Sequence, residues 1–233
     1  MQWPDAPPKL RIEPLDTSQT FRHLAYETLK KAITEMDIYS HPKEIRLDER
    51  RLSQDLAISR TPVREAITLL EQEGFVRTSP RRGIFVVRKT KAEILEMIAV
   101  WAALESMSAR LATKNASDAD LQALQSIFSE FEHEKPADRI SEYSEANIAF
   151  HQAIIRLGGC KLIWDITENL FIHMRAIRKV TIGQDNRAER SIIDHMNIIE
   201  ALVARDADRA ERLEREHTFG LYAHVEKHGD FLG

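Results

Sequence analysis

The stretch from Glu49 to Arg88 constrains the fold most, because within it the hydrophobic period changes from helical to strand-like. Ser59 to Gly74 reads as one amphipathic helix. Pro62 suits its first turn, Thr61 or Ser59 can serve as N-cap, and Gly74 ends it where a left-handed residue is cheap. Val63, Ala66, Ile67 and Leu70 share an apolar stripe. Arg60, Arg64 and Thr68 leave the opposite side at four-residue steps with Thr61 beside them, so two guanidiniums and two hydroxyls face one way. In isolation a solvated surface helix would look the same, and the neighbouring segments decide between the two. Glu49 to Ala57 forms a second short amphipathic helix with Leu52 and Leu56 inward, and Ile58-Ser59 is a turn short enough for a helix-turn-helix. Phe21, Leu24, Ala25, Leu29 and Ile33 mark a supporting helix from about 20 to 37. Phe75–Thr78 and Ile84–Arg88 read as two strands joined by Ser79-Pro80-Arg81-Arg82-Gly83, a turn with two more arginines. The expected unit, residues 20–89, is a winged helix-turn-helix. Its second helix would enter the major groove of DNA, and its small β-hairpin wing would reach along the backbone toward the minor groove.

Leu47-Asp48-Glu49-Arg50-Arg51-Leu52, Ser59-Arg60-Thr61-Pro62-Val63-Arg64-Glu65-Ala66, Glu73-Gly74-Phe75-Val76 and Gly83-Ile84-Phe85-Val86 resemble the GntR family of bacterial transcription regulators over residues from about 20 to 88. The resemblance implies a DNA-contacting set of Arg50, Ser59, Arg60, Thr61, Arg64, Arg82 and Gly83. Arg60 and Arg64 would meet base edges or phosphates, Thr61 a phosphate, Arg50 the groove from the preceding helix, and Gly83 would lie at the wing tip. An arginine can grip guanine bidentately, so either of the first two is a candidate base reader. The family's usual Pro-Gly turn before this segment is replaced by Tyr39-Ser40-His41-Pro42-Lys43-Glu44, so the local loop differs.

Charge divides along the chain. Residues 1–90 carry 16 Lys+Arg and 13 Asp+Glu, leaving 17 and 24 for the rest and a whole-chain net charge of −4. Overall acidity therefore does not argue against DNA: a basic module carries the contacts and the acidic remainder does something else. The single cysteine, Cys160, excludes an intrachain disulfide framework. No leading segment reads as a signal peptide, and no apolar run approaches the roughly 20 residues that span a bilayer. The expectation is a cytoplasmic, nucleoid-associated protein with no membrane partner. Residues 1–19, with four prolines, read as a flexible arm.

Beyond Lys89 the pattern is helical only, with approximate spans 91–115, 118–134, 138–157, 161–182, 187–204 and 207–228 broken by Gly, Pro and Asp. The fold class expected is mainly α, with an all-α bundle over residues 90–233. In it Asn147 and His151 sit at i and i+4, His195 falls on the stripe of Ile192, Ile199 and Leu202, and His217 on that of Leu213 and Leu221. Neutral imidazoles on facing helices are good divalent-metal ligands, yet a histidine satisfied by a hydrogen bond in the core would read identically.

Residues 91–228 are similar to the FCD ligand-sensing domain of the FadR subfamily of GntR regulators, in its VanR-like six-helix branch. The matching segments are Asn147-Ile148-Ala149-Phe150-His151, His195-Met196-Asn197-Ile198-Ile199-Glu200-Ala201-Leu202, His217, and Arg205-Asp206-Ala207-Asp208-Arg209-Ala210. The resemblance implies a divalent metal, Zn first and Ni or Mn next, held by Asn147, His151, His195 and His217. Asn147 stands where relatives often place Asp, so that ligand would be a neutral carbonyl. Trp101 stands where many relatives have an arginine, four residues before Glu105, which implies a more apolar pocket. Cys160 stands after the Gly-Gly turn where an asparagine is usual, and reads as a small packed residue. Trp101, Glu105 and Arg175 are the candidate effector contacts, with Arg175 the cation for an effector carboxylate. The expected protein is a homodimeric, sequence-specific repressor of operator DNA, controlled by a small organic acid bound near the metal. Two other readings are a metal-free dimerisation block and, less favoured, a metal-dependent enzyme with Glu105 or Glu145 as base. No HExxH, Gly-x-Ser-x-Gly or Gly-rich phosphate loop supports catalysis, so no catalytic residue is assigned.

Overall fold

A computed structural model describes residues 20–39, 43–131 and 134–232. The proline-bearing arm at 1–19 and the middle of the 39–44 loop lie outside these. The N-terminal part begins with α1 (Phe21–Glu35), capped by Thr20, whose apolar face places Ala25, Leu29 and Ile33 inside. α2 (Glu49–Asp55) starts at Asp48, whose carboxylate accepts from the amides of Arg50 at 2.8 Å and Arg51 at 3.0 Å. α3 (Arg60–Gln72) buries Val63, Ala66, Ile67 and Leu70 as its stripe requires, and Gly74 at φ +81 turns the chain into the wing.

The wing has a third strand. β1 (Arg46–Leu47), β2 (Val76–Ser79) and β3 (Gly83–Val86) form an antiparallel sheet in the order β1-β3-β2, with Arg46 opposite Phe85 and Ser79 opposite Gly83. Two residues are too few to show a period of two, so β1 is invisible to pattern.

The bundle starts at α4 (Lys91–Asn115) behind a capping box, in which Thr90 and Glu93 each bind the other's amide. α5 (Asp118–Ser126), α6 (Ile140–Leu157), α7 (Lys161–Thr181), α8 (Arg187–Val203) and α9 (Ala207–His228) follow. The expected helix 118–134 is shorter than its pattern. Ser126 and Ser129 turn their hydroxyls onto the carbonyls three residues back, competing with helix continuation. Two 3₁₀ turns, Ser129–Phe131 and Pro136–Arg139, then carry the chain to α6, while Phe128 and Phe131 are buried against Tyr143. No helix among the described residues is long and apolar enough to cross a membrane.

α7 joins the two parts. Its His173 Nδ1 accepts from Tyr39 Oη at 2.7 Å, and Tyr39 Oη in turn accepts from the Lys89 amide at 3.1 Å. Arg175 donates to the Glu35 carbonyl at 3.1 Å, and Lys179 pairs with Asp37 at 3.2 Å. Nearly two turns of α7 are thus tied to the end of α1, the loop after it and the linker into α4.

Candidate functional site

Two constellations carry chemistry, one on the surface and one buried. On the surface, α2, α3 and the wing enclose a groove of about 600 Å³ lined by Arg46, Arg50, Arg60, Arg64, Thr68 and Arg81. Arg50, Ser59, Arg60, Thr61 and Arg64 are all exposed. Ser59 occupies the N-cap position of α3 but makes no capping hydrogen bond, which leaves its hydroxyl available to an outside acceptor. Glu49 gathers the two arginines of α3: its Oε2 lies 2.8 Å from Arg64 Nε and 3.5 Å from Arg60 Nη2. Such exposed pairs contribute about 0–1 kcal/mol each, so a phosphate or guanine edge can displace them.

The wing differs from expectation in two side chains. Arg82 does not face the groove; with Arg77 it pairs with Glu44, at 3.2 Å, and lies over the Phe85 ring. The tip residue lining the groove is Arg81, in the left-handed conformation at φ 62. Gly83 opens β3 beside the tip rather than forming it. At φ +116 it packs against Arg46, whose Nε would stand 2.8 Å from any Cβ there, so glycine is what admits Arg46 to the groove.

Inside the bundle, α6, α8 and α9 bring His151, His195 and His217 together, so that one nitrogen from each lies within 4.8 Å of the others. Each Nδ1 has its own outer partner. His151 Nδ1 meets Glu105 Oε1 at 2.8 Å, His195 Nδ1 meets Tyr143 Oη at 3.3 Å, and His217 Nδ1 meets Asp194 Oδ2 at 3.1 Å. The Nε2 atoms are left to face inward, as in metal-ligating histidines whose far nitrogen is anchored. His195 Nε2 and His217 Nε2 are 3.3 Å apart. Two imidazole nitrogens on one tetrahedral ion, each about 2.0–2.1 Å from it, stand roughly 3.3 Å apart, so the spacing fits a shared metal. The His195 ring is wedged between Phe128 and Phe150, at centroid distances of 4.9 and 4.4 Å, which fixes its plane. Burial holds all three histidines below their ordinary pKa, helped at His151 by Arg178 and at His195 by His217, so they are neutral imidazoles.

Asn147 reaches this cluster through Ser191, whose hydroxyl is 3.5 Å from Asn147 Oδ1 and 3.4 Å from His195 Nε2; the Asn147 Nδ2 has no partner. Negative charge enters elsewhere. Glu105 on α4 and Glu214 on α9 are both fully buried, and the Glu214 oxygens have no hydrogen-bond partner. Burial and the neighbouring Glu105 push Glu214 well above the usual carboxylate range; burial raises Glu105 also, against the pull of Arg178. Glu214 is the missed acid, detectable only as a charge on the inward stripe Ala210, Glu214, Thr218, Leu221.

The arginine that reaches the histidine cluster is Arg178; Arg175 does not touch it. Arg178 is 5% exposed, donates from Nη1 to His151 Nε2 at 2.6 Å, and lies 3.4 Å from Glu105 Oε2, with its Nε unpartnered. Arg175, three residues earlier, leaves α7 at a different angle and reaches Glu145 at 3.0 Å and the Glu35 carbonyl. A shift of three residues on a helix changes the azimuth by about 60°, and that difference separates a domain contact from a site residue. Trp101 also acts indirectly: its indole donates to Glu105 Oε2 at 2.7 Å while its ring faces Phe171. Glu105 therefore receives a neutral donor from α4 and its countercharge from α7. A surface cavity of about 380 Å³ reaches His217 past Arg187, Arg190 and Asp194.

Comparison with known proteins separates the same two regions. Residues 25–86 match the family of bacterial regulatory proteins named gntR, and residues 96–219 match the FCD domain. The HTH-type transcriptional repressor RspR of Escherichia coli K12 is 27% identical over 171 residues, covering 73% of this chain and 75% of the relative. The repressor GlaR of the same organism is 26% identical, covering 71% and 79%. Among solved structures, E. coli McbR/YncC superposes with a TM-score of 0.74 at 21% identity, over 91% of this chain and all of that one.

Proposed function

Because this chain belongs to the GntR family of bacterial regulatory proteins with an FCD domain, and is a DNA-binding transcriptional regulator and not an enzyme, we propose that it is a repressor whose hold on operator DNA is set inside the bundle. The setting agents are a divalent metal and a small carboxylate. The observation that carries this reading is the convergence of three neutral imidazoles whose outer nitrogens are each already occupied. His151, His195 and His217 would hold the ion, with Asn147 as a neutral neighbour. Bound there, the ion would supply positive charge for an anionic effector, with Zn the first choice for an imidazole set and Ni next. Arg178 and the metal compete for one lone pair, that of His151 Nε2. Arg187 and Arg190 at the mouth and Arg178 inside favour an anion over a cation or neutral ligand. The names of RspR and GlaR favour repression.

Coupling follows from α7, whose Arg178 touches the site while His173, Arg175 and Lys179 hold the DNA-binding part. A ligand that prefers one placement of α7 prefers one placement of the reading heads. In a homodimer only one such placement matches two half-sites. Titration of tag-free protein with Zn²⁺ tests the site. One equivalent should bind at the cluster and raise the melting temperature, and His195→Ala with His217→Ala should lose that equivalent and the stabilisation that goes with it. Unchanged Zn²⁺ binding and melting in that variant would leave the bundle as a dimerisation block.

A further inference from the structure

A second group of ligating side chains lies at the far end of α9, apart from the cluster just described. His224 and His228 are one turn apart on α9, with ring centroids 4.8 Å from each other. Asp185, in the connection between α7 and α8, faces both: its Oδ2 is 3.2 Å from His228 Nε2 and 3.9 Å from His224 Nδ1. One ligand atom from each of the three lies within 4.8 Å of the others. Asp185 and its neighbour Asn186 are both left-handed, at φ 49 and φ 52. Two successive non-glycine residues in that region are costly, and the conformation brings the carboxylate of Asp185 to the histidine pair.

The hydrogen bonds around His224 fix which nitrogen is free. Gln184 Nε2 donates to the Val180 carbonyl at 3.1 Å, which turns Gln184 Oε1 toward His224 Nε2 at 2.7 Å. That oxygen only accepts, so His224 Nε2 carries the hydrogen and the lone pair of Nδ1 points at Asp185. An imidazole with its far N–H anchored to a carbonyl oxygen is the arrangement seen in metal-bound histidines. The closing turn of α9 adds the negative end of its helix dipole. Arg187 and Arg190 of α8 oppose a cation here, and Asp185 with the helix end offsets them.

We propose that Asp185, His224 and His228 form a second divalent-metal site, taking Zn²⁺, Ni²⁺ or Co²⁺ through two imidazoles and one carboxylate with water completing the shell. The spacing needed for a tetrahedral ion, roughly 3.3 Å between ligand atoms, is met by one pair, and the others close with small rotations of Asp185 and His228, both exposed. The site lies about 10 Å beyond His217 along α9 at 1.5 Å per residue. Its occupation clasps the α7–α8 connection to the end of α9. That end touches the start of α4 through the Lys91–Asp230 pair at 3.0 Å, beside the linker from the DNA-binding part.

Equilibrium dialysis of the full, tag-free chain against Co²⁺ and Zn²⁺ alone tests this. Wild type should bind two equivalents, Asp185→Asn with His228→Ala one, and His195→Ala with His217→Ala one. The Co²⁺ absorption of that last variant should report a mixed nitrogen and oxygen shell. Because Asp185 and His228 are exposed, their double variant should keep the wild-type circular dichroism. If the His195/His217 variant binds no ion, or the Asp185/His228 variant keeps the full wild-type stoichiometry, the second site does not exist, whatever holds at the first. If the central cluster proves metal-free, wild type should bind one equivalent, and its loss only when Asp185 and His228 are changed supports the proposal.

Discussion

The DNA-reading surface and the bundle interior use the same side-chain chemistry under opposite conditions. On the surface, Arg60 and Arg64 stand in water, share Glu49 and need no other support. Inside, Arg178 shares Glu105 and His151 in a buried setting, and Trp101, Thr218 and His151 all bind the same carboxylate. An exposed ion pair can be removed with little change in stability, whereas a buried one leaves its partner's charge unpaid by solvent. The first arrangement suits a surface that must exchange partners. The second suits an element whose position must depend on what is bound beside it.

The sharpest way to break this contrast is to remove one acid from inside and one base from outside. Glu105→Leu strands the Trp101 indole, the Thr218 hydroxyl, the His151 N–H and part of the Arg178 charge, and should cost about 3–5 kcal/mol of unfolding free energy. Arg60→Ala should change it by less than about 0.5 kcal/mol. Urea denaturation of both variants measures this, and equal losses would erase the distinction.

A smaller effect is expected at the seam between the two regions. Burial lowers the His173 pKa to about 4, against 6.5 for the free side chain. The unfolded chain therefore binds more protons there between those values. The contribution is complete above pH 6.5 and is lost as pH falls toward 4, by on the order of 3 kcal/mol. Comparing wild type with His173→Asn by denaturation at pH 7.5 and 4.5 isolates it: the variant should lose less stability over that interval. Equal losses would mean that the Tyr39–His173 contact does not carry the neutral imidazole into the fold.

Smallest in energy, though largest for function, are the groove arginines. Arg60→Ala and Arg64→Ala should each weaken binding to a DNA site selected from a random library by about 1–3 kcal/mol. Arg82→Ala should do less than Arg81→Ala, since Arg82 is folded onto Glu44 and Phe85. Fluorescence anisotropy gives the order, and the reverse order would return the wing contact to Arg82.

The same contrast explains what could be read in the chain before its structure. Arg60, Thr61 and Arg64 declare themselves because their partner is outside, so helical spacing alone shows them on one face. His151, His195 and His217 were legible as inward positions, and their convergence depended on helices far apart in sequence. Arg178 and Glu214 carry no such sign. Each is an ionisable group on an apolar stripe whose neighbours come from other helices: Arg178 of α7 meets Glu105 of α4, and Glu214 of α9 is held above the usual carboxylate range by burial and by that same Glu105. Arg175 is one turn from Arg178 in sequence, and only the packing shows that it meets Glu145 and the Glu35 carbonyl while Arg178 meets the histidine cluster. Two-residue β1 and the serine-terminated α5 lie below the length at which periodicity speaks.

In the proposed regulator the bundle interior governs the DNA surface through α7. Anisotropy titrations of the selected DNA site, with chelator-treated and with Zn²⁺-loaded protein at constant salt, test it most directly. Wild type should change its DNA affinity by at least about fivefold on loading, and the His195→Ala, His217→Ala variant should bind with one affinity in both conditions. Equal wild-type affinities with and without the ion, with the ion shown to be bound, would contradict it.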